Sequence, residues 1–97
     1  MATFHPSPRF EQDYRKLDDA QRERFRRAVR TAFRPDLDTG SFRPGLRVKR
    51  VQGTKSVWEM TWAPNGRATW EYGEPVRAGH KHVLWRRIGT HDIFDRP

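Results

Sequence analysis

Four histidines, at positions 5, 80, 82 and 91, supply the imidazoles of this sequence, the side chain most often used as a general acid or base. His80 and His82 flank Lys81 like a metal pair. The chain has no cysteine, however, and no carboxylate stands at a usual ligand spacing to complete a shell, so no metal site is expected. His91 is set differently: it follows Gly89-Thr90, comes soon after Arg86 and Arg87, and has Asp92 beside it. Cutting RNA without a metal requires a base for the 2′-hydroxyl, an acid for the leaving 5′-oxygen and cations against the charge that grows on the phosphorane. His91, a cation such as Arg67 or Arg87, and a carboxylate such as Glu71 would supply those parts. A capping or surface histidine is the plainer alternative for His91.

The charge around these residues is arranged in two acid-free windows. Residues 41 to 55 hold Arg43, Arg47, Lys49, Arg50 and Lys55, and residues 75 to 91 hold Arg77, Lys81, Arg86 and Arg87. If the two windows lie on neighbouring strands, their cations fall along one side of a sheet and can neutralise several phosphates. Trp58, Trp62, Trp70 and Trp85 interleave with this charge. An aromatic beside cations can stack on an unpaired base, although in so small a domain at least two of the four are expected in the core. Across the chain, 20 Lys+Arg oppose 12 Asp+Glu, a net charge of +8, which points to a polyanionic partner and above all to RNA.

The elements that must position these residues follow from periodicity. Phe4 lies in a short strand stopped by Pro6 and Pro8. Ser7 then serves as N-cap, with Pro8 at the first helical position. Phe10, Tyr14 and Leu17 form one apolar stripe of a three-turn helix, and Asp18 or Asp19 caps a second, in which Phe25, Ala28, Val29, Ala32 and Phe33 share a face. The opposite face carries Arg22, Arg26, Arg27 and Arg30, an ordinary solvated surface, and Pro35 ends the run. Residues 35 to 45 read as a loop. Leu46, Val48 and Val51 then alternate in a strand, Trp58, Met60 and Trp62 share one face of the next, and Pro64-Asn65-Gly66 turns a hairpin into Ala68, Trp70 and Tyr72. Residues 82 to 88 make the last strand, followed by a short irregular tail.

This order predicts an α+β fold: an N-terminal strand and a two-helix hairpin packed on one face of a twisted, mainly antiparallel sheet of about four strands, the other face left open. With 97 residues, one domain spanning 1–97 is expected. The lack of cysteine, of an apolar leader segment and of any membrane-length apolar run points to a soluble cytoplasmic protein with no membrane partner.

The segment Leu84-Trp-Arg-Arg-Ile-Gly-Thr-His-Asp-Ile-Phe94 resembles the closing strand and tail of the RelE/ParE superfamily, the toxins of bacterial type II toxin-antitoxin pairs. The resemblance extends over the whole chain in pattern, and Ile-Gly-Thr-His-Asp is its most specific part. It implies a metal-independent endoribonuclease that cuts messenger RNA on the ribosome, uses no small-molecule cofactor and is held inactive by a cognate antitoxin. It further implies His91 as the catalytic group after the last strand, Phe94 as the aromatic that stacks on or orients the substrate, and Arg67 as the stabiliser of the transition state. Arg47, Lys49, Arg50, Arg86 and Arg87 would clamp the RNA. One departure stands out: where the strand before the hairpin often offers basic groups, this sequence has Glu59 and Thr61. The general base is therefore open between Glu59 itself and charge supplied by Lys49 and Arg47. Two other functions fit the same resemblance: a ParE-like toxin that inhibits DNA gyrase without a nuclease site, and a nucleic-acid-binding module without chemistry.

Overall fold

The computed structural model describes residues 2–97. Strand β1 (Thr3–Pro6) gives way to helix α1 (Pro8–Lys16) where Ser7 Oγ accepts the Phe10 amide and Pro8 takes the first turn. Asp18, rather than Asp19, caps α2 (Asp19–Ala28). Its carboxylate accepts the Gln21 amide at 2.7 Å, and the Gln21 side chain accepts the Asp18 amide at 2.9 Å, a reciprocal capping box.

Pro35 does not end the helical run. A π-helical turn, Val29–Phe33, widens the backbone so that the Arg34 amide donates to the Val29 carbonyl, and helix α3 (Arg34–Thr39) starts anew with Pro35 in its first turn, where a missing N–H leaves no orphan. The helix stops at Gly40, whose φ of 82° a side chain would disfavour. The strand expected over Leu46 to Val51 is likewise shorter: Pro44–Leu46 winds one 3₁₀ turn, and only Lys49–Arg50 pairs, as β2.

Strands β3 (Trp58–Ala63), β4 (Gly66–Gly73) and β5 (His82–Gly89) complete a five-stranded sheet of order β1-β5-β4-β3-β2. All pairings are antiparallel except that of β1 with β5, which is parallel and adds one strand to the expected four. The helices cover one face. There Trp85 meets Phe10, Phe25 and Phe33 at centroid distances of 5.3 to 5.6 Å, and Phe33 meets Trp70 edge-on at 4.8 Å. Trp62, Trp70 and Trp85 are buried and Trp58 is half-buried against the same core, so all four tryptophans serve the helix side and none stands on the open face.

Candidate active site

The open face is read directly from the strand register. Because Trp58, Met60 and Trp62 point to the helices, Glu59 and Thr61 point away from them. Lys49 pairs with Glu59, Glu59 with Thr69, and Thr69 with Arg87, one row across four strands; Thr61 pairs with Arg67 in the next row. After β5 the chain turns back through a 3₁₀ turn, His91–Asp95, which packs on β4 and β5 and buries Ile93. This segment, expected to be irregular, brings His91 and Phe94 to the open face. Their rings meet edge-on at 4.8 Å and 77°.

His91 and Phe94 share a depression of about 550 Å³ with Lys49, Arg50 and Glu59. Lys49 and Glu59 also line a second depression, of about 410 Å³, with Arg47, Thr61 and Arg67. The two halves form one groove with Glu59 at the junction. Glu59 is 9% exposed, yet it has neither an ion pair nor a hydrogen bond. Its carboxylate oxygens are not among the buried atoms left without a partner, so they open onto the groove as free acceptors. Arg67 is held at the hairpin: its Nη1 donates to the carbonyl oxygens of Gly66 at 2.9 Å, Pro64 at 3.3 Å and Ala63 at 3.4 Å, which fixes the guanidinium without neutralising it. Arg47 adopts φ 49°, the one non-glycine residue with positive φ among those described. Strain of this kind persists where the surroundings over-determine it. Here Arg47 closes the Pro44–Leu46 turn, its amide donating to the Pro44 carbonyl at 3.0 Å. At the start of that turn Asp36 accepts the Arg43 amide at 2.8 Å and pairs with its guanidinium at 2.9 Å, and that hydrogen bonding holds the Asp36 carboxyl below the usual carboxylate range.

The structure thus unites His91, Phe94, Lys49, Arg50, Arg47 and Arg67. It separates Glu71, Arg86 and Arg87 from them. Glu71 Oε1 is 3.2 Å from Arg86 Nη1, and Arg87 is bound by Asp13, so the groove carboxylate is Glu59 and not Glu71. Asp13 itself is absent from the sequence reading. Its signal was a carboxylate inside the Phe10-Tyr14-Leu17 stripe of α1, on the face that packs inward. Among the described residues no three His, Cys, Asp or Glu side chains converge to hold a metal ion, and no helix is long and apolar enough to cross a membrane.

A sheet of this order, with helices on one face and a closing turn on the other, is a fold this chain shares with several solved toxin structures. A copper-bound mutant toxin from Helicobacter pylori superposes with a TM-score of 0.66 at 16% identity, covering 95% of this chain and 97% of that one. A YoeB/ParE toxin from Agrobacterium tumefaciens gives 0.65 at 12% identity over 92% and 98%. The RelB-RelE antitoxin-toxin complex from Methanococcus jannaschii gives 0.57 at 16% identity over 96% and 95%. No protein-family model matches the sequence, and no curated protein does.

Proposed function

We propose that this protein is the toxin of a type II toxin-antitoxin pair and acts as a metal-independent endoribonuclease on ribosome-bound messenger RNA. The observation that carries the reading is the unpartnered carboxylate of Glu59, which opens onto a groove that also holds His91 and an Arg67 without an ion pair. Glu59 takes the proton of the 2′-hydroxyl, the 2′-oxygen attacks phosphorus, and the imidazolium of His91 gives its proton to the departing 5′-oxygen. The products are a 2′,3′-cyclic phosphate and a 5′-hydroxyl. Arg67 and Lys49 meet the charge on the phosphorane, Arg47 and Arg50 hold flanking phosphates, and Phe94 stacks on a base.

A cognate antitoxin of acidic, amphipathic character suits this surface, since Arg47, Lys49, Arg50 and Arg67 line the groove without an ion pair to any described carboxylate. The test is to incubate the purified chain with programmed ribosomes and map the messenger ends. Cuts within codons that disappear in Glu59→Gln and His91→Ala support the reading. Intact messenger together with blocked DNA supercoiling would replace it with a gyrase inhibitor, and salt-sensitive RNA binding without cuts would replace it with a binding module.

A further inference from the structure

Arg86 and Arg87 stand in the middle of the second basic window and would ordinarily be taken as phosphate clamps. Their strand makes that unusual, because β5 carries a bulge: Thr69 pairs with Arg87 and the next residue, Trp70, pairs with Trp85, so Arg86 is the extra residue. A bulge re-aims side chains. Trp85 and Ile88 both face the helices, which leaves the two consecutive arginines between them on the open side. There each guanidinium faces two ways. Arg87 Nε and Nη2 donate to Asp13 at 2.6 and 3.2 Å, while its Nη1 donates to the Arg96 carbonyl at 2.8 Å. Arg86 Nη1 donates to Glu71 at 3.2 Å, while its Nε donates to the Pro97 carbonyl at 3.1 Å.

Asp13 is anchored in turn. It is 9% exposed and also accepts the Ile88 amide at 3.2 Å, a donor on β5 beyond the last residue paired with β1. The frame of the molecule, α1 through Asp13 and β4 through Glu71, therefore reaches through two arginines to the backbone of the segment that carries His91 and Phe94. Gly89 completes the seat: a Cβ there would lie 3.0 Å from Ile93 Cγ2, so the segment rests directly on the end of the strand.

We propose that Arg86 and Arg87 are positioning residues that fasten the closing segment over the groove, and that they do not bind RNA phosphates. The inference rests on His91 as the reacting group of the proposed nuclease, but its physical core, a fastened segment, can be tested without activity. Arg87→Ala leaves Asp13 buried and unpaired and threatens folding. Arg86→Ala and Arg87→Lys are the informative variants, since lysine keeps the charge but cannot span Asp13 and the Arg96 carbonyl together.

In the full-length protein, amide hydrogen exchange at Ile93 and Arg96 is expected to quicken roughly fivefold to tenfold in either variant, the ratio that matches the net worth of one hydrogen bond. Binding to a short single-stranded RNA should keep its salt slope, and on ribosome-bound messenger kcat should fall about tenfold with KM within about twofold. Unchanged exchange overturns the proposal. So does a salt slope lowered by about one in Arg86→Ala, the mark of a lost phosphate contact, and so does full kcat in a variant whose segment has loosened. If the wild-type chain cuts nothing, the nuclease reading falls while exchange and salt slope still decide the fastening.

Discussion

On the outer face of α2 and the π turn that continues it, Arg22 lies 2.9 Å from Asp19, and Arg26, Arg27 and Arg30 gather around Glu23 at 3.3 to 3.9 Å. In the sheet groove, Arg47, Lys49 and Arg50 have no ion pair, Arg67 is fastened by carbonyl oxygens alone, and Glu59 makes neither an ion pair nor a hydrogen bond. Both surfaces are basic. The helix face spends its charge internally, in exposed pairs screened by solvent, whereas the groove keeps its cations and its carboxylate without ion pairs. Pairing, and not the number of arginines, separates a solvated surface from a candidate site.

The sharpest way to break this contrast is to neutralise one groove residue. Glu59→Gln should lower messenger cleavage by about 100-fold to 10,000-fold, and Arg67→Ala by about 100-fold, in a single-turnover assay. The Glu59 variant should keep its midpoint in urea, because its carboxylate has no ion pair or hydrogen bond to lose. Arg30→Ala on the helix face should leave cleavage unchanged.

A second test addresses the hairpin that presents Arg67. A Cβ on Gly66 would lie 2.6 to 2.8 Å from the Trp62 indole, a core ring with little room to move. Gly66→Ala should therefore cost about 1–3 kcal/mol in urea unfolding. An unaffected midpoint would mean the indole does not rest on the turn.

A smaller effect separates the two basic surfaces directly. Lys49→Ala and Arg50→Ala should each reduce the salt slope of RNA binding by about one, while Arg27→Ala and Arg30→Ala leave it unchanged. Equal effects on both surfaces would erase the distinction.

The smallest concerns pH. The folded pKa of Asp36 lies below its ordinary value of 3.8 because of Arg43. The unfolded chain thus binds the proton more readily. The contribution of this pair is present above the unfolded value and is lost as pH falls through the folded one. In acid titration of stability, Asp36→Asn should flatten that part of the curve; an unchanged curve would remove the pair as the anchor of the loop that leads to Arg47.

Much of this architecture is legible in the sequence because local signals agree with the tertiary result. Ser7 and Pro8 mark the start of α1, and the Trp58-Met60-Trp62 alternation already places Glu59 on the open face. Pro64-Asn65-Gly66 marks the hairpin. The misreadings occurred where long-range contacts decide. A proline that forbids a helix interior is harmless after a π turn, so Pro35 did not end the helical run. The alternation of Leu46, Val48 and Val51 lost to the 3₁₀ preference of Pro44-Gly45. For Arg86 and Arg87, nothing local announces a bulge, or a partner for Arg87 in Asp13, 74 residues away. Glu71 and Glu59 are equivalent by type, and only the strand register shows which is paired and which is free.

The central claim is that the groove around Glu59 and His91 cuts RNA. It is tested most directly by the chemical nature of the cut ends on messenger held by ribosomes, in wild type and Glu59→Gln at matched concentration. The account predicts 2′,3′-cyclic phosphate and 5′-hydroxyl ends from the wild type and a rate at least about 100-fold lower from the variant. Equal cutting by the two proteins, or ends bearing a 5′-phosphate, would contradict it.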